Sequence, residues 1–291
     1  MKIGIFGKTL NDEFVGHFQD MISILEKNKC QISFYKPYYE KISEKLNVSG
    51  DLTFKNHIDI KQNIDVLFSM GGDGTLLDTI TLVRDTGIPV LGINLGRLGF
   101  LSSVSKDDIE KAIENVIKGN YTLDKRTLLR LETKTNLFGD INYALNELTI
   151  HKIDSPALIV IKVFVNGMFL NSYWADGIII STPTGSTGYS LSCNGPIVSP
   201  GSENFIINPI ASHNLTVRPI VIPDSSEIRL TVDGRNQKFS VGLDSRLQSF
   251  ESSLELLVKK EDFKINLIDM PDKDFFATIR EKLKWGLDVR N

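Results

Sequence analysis

Apolar positions in the first 120 residues switch between two spacings. Lys2-Ile3-Gly4-Ile5-Phe6 reads as a strand, and Phe14, Phe18, Met21, Ile22 and Leu25 then fall on one helical stripe. Ile32 and Phe34 alternate as a second strand, and the polar, irregular stretch Asn47 to Asn63 predicts a loop. Val66–Met70 is a short continuous apolar run, the pattern of a strand buried on both faces. After a glycine-rich turn the helical period resumes at Leu76, Ile80 and Val83, with Gly87 placed to end the helix. Pro89–Ile93 is the next strand and runs into a second glycine-bearing loop, Asn94–Phe100. Ser105 with Asp108 predicts a capping box for a helix through Lys118, closed by Gly119. Strand and helix in alternation predict a parallel sheet covered on both faces.

From about Lys125 the period changes. Leu129 and Leu131 alternate, Leu158–Val165 is a strand, and Asn166-Gly167 is a two-residue hairpin signal into Met168–Tyr173. Strands follow at Ile178–Ser181, Ile206–Ile210, Ile220–Ile222, Ile228–Val232, Phe239–Leu243 and Phe263–Leu267, with few helical stripes between them. After Pro271 a helical pattern returns at Phe276, Ile279 and Leu283 and is expected to pack back on the first domain. The division is therefore an α/β N-terminal domain over 1–124, joined by 271–291, and a β-rich domain over 125–270. At 291 residues the chain is long enough for both to hold a core.

Charge and composition narrow the function by exclusion. A net charge of −3 gives no basis for electrostatic capture of nucleic acid or an anionic membrane. Apolar runs are too short to span a bilayer, and the start of the chain carries a strand pattern rather than a signal-peptide profile, so a cytoplasmic protein is expected. Cys30 and Cys193 are far apart, and His17, His57, His151 and His213 show no paired spacing. Neither set predicts a metal centre, so any metal should arrive with a substrate.

The candidate chemistry begins where the Val66–Met70 strand empties into Gly71-Gly72-Asp73-Gly74-Thr75. Such a turn lies at the carboxyl end of a strand and the amino end of a helix, where open α/β sheets bind ligands and the helix end favours phosphate. Gly7-Lys8-Thr9 imitates the end of a P-loop, but the first glycine of that motif would fall at Lys2, and no GxGxxG follows the first strand. Further on, Asn146-Glu147 interrupts an apolar strand pattern. The run from Asp176 to Ser192, rich in threonine, serine and glycine and holding Tyr189, offers short donors and acceptors plus one stacking face. Leu243-Asp244-Ser245 is a weaker polar interruption.

With these residues in view, the chain closely resembles the NAD kinases over nearly its whole length. The likeness runs through Gly71–Thr75, Gly92–Phe100, Asn146-Glu147, Asp176–Ser190, Asp244 and Lys282–Gly286. The glycine-aspartate turn is shared with diacylglycerol kinase-like and phosphofructokinase-like enzymes; the threonine-glycine-serine run makes the match specific. Gly188 and Asn194 depart from the commoner alanine and glycine. The resemblance implies ATP-dependent phosphorylation of NAD on the 2′-hydroxyl of its adenosine ribose, a β-sandwich-like C-terminal domain, and a homo-oligomer, dimer or tetramer. It implies that Asp73 lies beside the acceptor hydroxyl, as proton acceptor or anchor, and that Gly71, Gly72, Gly74 and Thr75 cradle phosphates. Phe100 would pack near the dinucleotide, and Asn146 and Glu147 would hold its base and ribose hydroxyls. Asp176, Thr184, Thr187, Gly188 and Tyr189 would line its pocket, with Asp244 and Ser245 as lesser contributors.

Phosphoryl transfer passes through a loose transition state, so positioning and charge stabilisation outweigh proton removal. Magnesium, or another divalent cation, would come with ATP and supply part of that stabilisation. The glycine turn lacks a P-loop lysine, and Arg97 is a candidate replacement by its closeness in sequence. Two rival readings remain at this level: a kinase for a lipid or sugar phosphate, and a sensor that binds NADP(H) without turnover.

Overall fold

The computed structural model describes residues 1–46, 52–96, 99–102, 104–235, 237–271 and 274–286. The chain divides into two compact units, Met1–Lys125 with Ile265–Asn291, and Arg126–Lys264.

In the first unit, strands β1 (Lys2–Gly7), β2 (Gln31–Tyr35), β3 (Thr53–Phe54), β4 (Val66–Met70), β5 (Val90–Asn94) and β6 (Val104–Ser105) alternate with helices α1 (Val15–Lys27), α2 (Lys36–Ile42), α3 (His57–Ile60), α4 (Asp73–Val83) and α5 (Ile109–Lys118). All pairings among these strands are parallel, in the order β5-β4-β1-β2-β3, with β6 beside β5. Every residue of β4 and β5 is buried, Ser69 and Asn94 included, as in strands covered on both faces. The α1 stripe of Phe18, Met21, Ile22 and Leu25 packs into the same core as Ile113 and Val116 of α5. Gly87 takes the left-handed conformation (φ 74°) expected at the end of the α4 segment.

Three expectations need correction here. The stretch Asn47 to Asn63 is more than a loop: residues 47–51 lie outside the described set, but the rest contains β3 and α3. Phe54 and Ile60 are buried, and Asn56 closes a capping box with Asp59. At Ser105 the expected capping box does not form, because the hydroxyl donates to the Asp108 carboxylate (2.7 Å) and a 3₁₀ turn intervenes before α5. Helix α2 was not anticipated; Pro37 in its first turn and the buried pair Tyr38 and Ile42, four residues apart, account for it.

In the second unit, β7 (Thr122–Glu132), β8 (Tyr143–Ala144), β9 (Glu147–Lys152), β10 (Ile159–Val165), β11 (Met168–Ala175), β12 (Gly177–Ser181), a short helix α6 (Tyr189–Ser192), β13 (Asn204–Ile210), β14 (Ile220–Pro223), β15 (Ile228–Asp233), β16 (Lys238–Leu243), β17 (Arg246–Glu251) and β18 (Leu256–Asp269) follow in order. One antiparallel sheet runs β14-β13-β12-β9-β16-β17. In a second, β10 pairs antiparallel with β11 and β15, and β15 with the start of β18. The core joins Ile150, Ile178 and Val241 of the first sheet to Ile161, Leu230 and Val258 of the second, which makes the unit a sandwich. Asn166 (φ 50°) and Gly167 (φ 80°) form the β10–β11 hairpin turn, as the pair predicts.

The end of the chain belongs to the first unit. Leu267 of β18 pairs parallel with Val90 of β5, and Ile268 and Met270 enter the first core. Helix α7 (Phe275–Leu283) is capped by Asp274, whose carboxylate accepts the N–H groups of Phe276 and Ala277. Ile279 is buried, but Phe276, expected on the inner stripe, is 62% exposed. Among the described residues, no helix is long and apolar enough to cross a membrane.

Candidate active site

Two constellations carry the polar chemistry, one in each unit. In the first unit, the chain builds β2 and β3 on one side of β1 and β4 and β5 on the other, so the order reverses between β1 and β4. Ligand crevices form at such reversals, outside the carboxyl ends of the strands. The glycine turn sits there. Gly71 has φ 152°, and a methyl group on it would lie 2.4 Å from the Thr75 hydroxyl, so only glycine fits. Gly72 is the extended residue before α4, and the Thr75 and Leu76 N–H groups donate to its carbonyl. A methyl on Gly72 or on Gly74 would meet no protein atom within 4 Å among the described residues. Packing does not demand glycine at either position; what they leave is open approach to the backbone at a helix start.

Asp73 opens α4, and its carboxylate turns toward the loop after β5. Oδ2 accepts the Phe100 N–H (2.8 Å), and Oδ1 accepts those of Leu101 (3.1 Å) and Ser102 (3.0 Å). Among the described residues, three of its roughly four lone-pair sites are thereby used and one on Oδ2 is not. Gly99 makes this approach feasible, since a methyl there would lie 1.9 Å from Oδ1. Gly71, Gly72, Gly74, Thr75, Asp73 and Phe100 are thus brought together, Phe100 through its backbone. Arg97 lies outside the described residues. Asn94, 3% exposed at the end of β5, accepts the Gly96 N–H (2.7 Å) and shapes the neighbouring turn.

In the second unit, Asp244 organises a tight corner. Its oxygens accept the N–H groups of Leu145 (2.9 Å), Asn146 (2.8 Å) and Glu147 (3.2 Å), while its own N–H donates to the Glu147 carbonyl (3.0 Å). Asp244 was expected in the dinucleotide pocket; its carboxylate is instead committed to backbone and holds the Asn146-Glu147 turn in place. Burial raises its pKa against the pull of those N–H groups and of Arg246. Glu147 is pushed up to about 8, first by burial and then by the Asp244 charge, with the Tyr189 backbone N–H opposing. Asn146 Oδ1 and Glu147 Oε2 are buried and have no hydrogen-bond partner among the described residues.

The Asp176–Ser192 run is ordered, with β12 leading into two short helical segments. Thr184–Thr187 is a 3₁₀ helix that leads into α6. Thr182 donates its hydroxyl to the Leu145 carbonyl (2.5 Å), and Asn208 donates to the Ser190 carbonyl (3.0 Å). A methyl on Gly188 would stand 3.1 Å from Glu147 Oε2 and 3.5 Å from Asn146 Nδ2, which places this residue against both orphaned side chains. The Thr187 hydroxyl donates to the Thr184 carbonyl (3.3 Å), and Arg126 Nη1 donates to the Thr184 hydroxyl (3.2 Å). Tyr189, 38% exposed, stacks on His151 with centroids 5.8 Å apart and planes at 24°. Asp176 pairs with Lys152 (2.5 Å). His151, Lys152 and Arg126 escaped the sequence reading. His151 could have been found, because positions 147, 149 and 151 share one face of a strand. Burial lowers its pKa, and the nearby Asp176 charge opposes that. Among the described residues, no group of three or more His, Cys, Asp or Glu could hold a metal ion.

Two family models cover most of the chain: the ATP-NAD kinase N-terminal domain matches residues 3–121, and the ATP-NAD kinase C-terminal domain matches residues 145–268. The chain belongs to the NAD kinase family. It is thereby a phosphotransferase of the family whose reaction is ATP-dependent phosphorylation of NAD to NADP. NAD kinases of Cytophaga hutchinsonii and Flavobacterium psychrophilum are 44% and 45% identical to it, each over the full length of both chains. Among solved structures, yeast NADH kinase complexed with NADH superposes with a TM-score of 0.88 at 27% identity, covering 100% of this chain and 89% of that one. An NAD kinase from Archaeoglobus fulgidus in complex with ATP shares the fold, with a TM-score of 0.74 at 22% identity over 98% and 99% of the two chains.

Proposed function

We propose that this NAD kinase family member transfers the γ-phosphate of ATP to the 2′-hydroxyl of the adenosine ribose of NAD. The observation that carries the reading is the match of both family models, one on each unit. Local geometry supports the assignment of roles. The open approach over Gly72 and Gly74, with Gly71 and Thr75 shaping the turn, suits phosphate groups drawn to the α4 N-terminus. The remaining lone pair on Asp73 Oδ2 would accept the acceptor hydroxyl, as anchor or as base. In the second unit, the orphaned Asn146 Oδ1 and Glu147 Oε2 await hydrogen-bond donors, which a base amine and ribose hydroxyls supply. Tyr189 would stack on a base, and Thr184, Thr187, Gly188 and Asp176 would complete the pocket wall. Asp244 acts through the turn it holds.

Magnesium, or another divalent ion, would arrive on the nucleotide phosphates and there offset their charge. The protein's own part is to align the acceptor hydroxyl with the γ-phosphate, which is where most of the rate must come from in a loose transition state. The same reading places the enzyme in the cytoplasm as a homo-oligomer, dimer or tetramer. The test is to incubate the purified protein with magnesium, ATP and NAD and follow NADP through a coupled dehydrogenase. NADH, diacylglycerol and fructose 6-phosphate serve as competing acceptors. Turnover of the lipid or the sugar phosphate with none of NAD or NADH would overturn it.

A further inference from the structure

The Gly7-Lys8-Thr9 segment fails as a P-loop in sequence, yet the fold delivers it to the place where a phosphate loop belongs. It follows β1, and β1 and β4 are the two strands between which the sheet order reverses. A cavity of about 290 Å³ opens there, lined by Thr9 and Asn11 from the segment after β1, by Gly71, Gly72 and Thr75 of the glycine turn, and by Asn94 at the end of β5. Thr9 and Asn11 are exposed, and Phe14, which also lines the cavity, is buried in the core, so the segment is anchored beside it. Lys8 reaches across to α4 and forms an ion pair with Asp78, which ties the segment to the same helix whose first turn carries the glycines. No described residue of the lining is acidic. The nearby acid, Asp73, has its charge met by three backbone N–H groups on the other side of the turn.

We propose that the segment after β1 is the second wall of the phosphate site, with Thr9 and Asn11 donating hydrogen bonds to the ATP phosphate chain and Lys8 supplying the positive charge that the glycine turn lacks. The inference rests on the kinase reading above and extends it to residues outside the resembling motifs. The cavity falls at the lower edge of the range for whole small-molecule ligands, which suits a phosphate chain better than an entire nucleotide. Thr9 and Asn11 supply a hydroxyl and an amide, both able to donate to phosphate oxygens without a competing negative charge. Lys8 adjoins Thr9 in the chain but is outside the cavity lining, and to meet a phosphate its ammonium would exchange the Asp78 carboxylate for it.

The experiment is direct binding of MgATP to the full chain by isothermal titration, for the natural protein and for Thr9→Val, Asn11→Ala and Lys8→Gln, with inorganic triphosphate as competitor. Circular dichroism verifies folding, and NADP binding to each variant is measured in parallel. Loss of a hydrogen bond to a charged oxygen weakens binding by roughly tenfold or more. Thr9→Val and Asn11→Ala should therefore bind MgATP about that much less tightly, with NADP affinity unchanged. Lys8→Gln should weaken MgATP severalfold and flatten the salt dependence of binding. Triphosphate should displace MgATP from the natural protein. Unchanged MgATP affinity in all three folded variants, or displacement by adenosine but not by triphosphate, would overturn the proposal. Because binding is read without turnover, a protein that binds MgATP through these residues yet makes no NADP would count against the kinase reading alone.

Discussion

Asp73→Asn is the most informative single change, because the structure gives the carboxylate two duties that this substitution separates. The carboxylate accepts three N–H groups from Phe100, Leu101 and Ser102. An asparagine oxygen placed at the Oδ1 position would keep the Leu101 and Ser102 bonds as neutral ones. Its amide NH₂ would then face the Phe100 N–H, donor against donor. One charge-assisted hydrogen bond is lost outright, worth about 1.5–3 kcal/mol, and the other two weaken. The side chain is only partly buried, so solvent screening argues for the lower part of that range, about 2 kcal/mol. For a unit of this size that lowers Tm by roughly 4–8 °C. Scanning calorimetry on the full chain checks it, and an unchanged Tm would refute the claim that the carboxylate holds the loop. Turnover should fall by roughly 10²–10⁴ while the KM for NAD moves little.

Glu147 predicts a pH signature in stability. Its folded pKa of about 8 lies above the ordinary carboxylate value, so over the range between the two the folded state holds more protons than the unfolded one. Stability should therefore decline as pH rises through that window, and Glu147→Gln, which cannot ionise, should gain on the natural protein until about pH 8; a pH-independent difference in Tm would contradict this. Tyr189→Ala should weaken NADP binding by about 1–3 kcal/mol through lost stacking while sparing MgATP, as read by titration. His151→Ala, which removes the ring behind Tyr189, should have a smaller effect of the same kind, and equal loss of MgATP affinity in either variant would remove them from the dinucleotide site. Gly99→Ala should disrupt the loop, since its methyl would meet Asp73 Oδ1 at 1.9 Å, whereas Gly188→Ala needs only small shifts, of the Glu147 side-chain end at 3.1 Å and of the Gly185 carbonyl at 3.2 Å. Soluble yield and Tm compare the two, and the opposite ranking would show that the loop relaxes freely.

The sequence made visible what periodicity encodes. The strands read at Val66–Met70 and Pro89–Ile93 and the helical stripe from Phe14 to Leu25 supply core residues, because burial on two faces or one leaves a direct trace in residue choice. Shorter elements were hidden. Thr53–Phe54 and His57–Ile60 have too few residues to show a period, and their signal is a capping asparagine rather than a pattern. The motifs of the candidate site were legible as residue types, but their partners were not. Asp73 and Asp244 look alike as sites of chemistry, and only the fold reveals that each gathers three successive backbone amides. Thr9 belongs only to a failed P-loop pattern, and Asn11 carries no motif. Their role follows from where the strand order reverses, which no local window of sequence records.

The first unit begins with the first strand, yet its core also contains Ile268 and Met270, near the far end of the chain. The second unit, Arg126–Lys264, is a single uninterrupted stretch. On a ribosome the stretch that starts first must therefore wait longest. The sandwich can close as soon as its last strand has emerged, while the α/β unit holds its β5 edge open until Leu267 arrives beside Val90. During that interval the Val90 end of β5, which β6 does not cover, is an open strand edge. A stall or a stop before the Leu267 codon would leave a chain with one finished unit and one adhesive one.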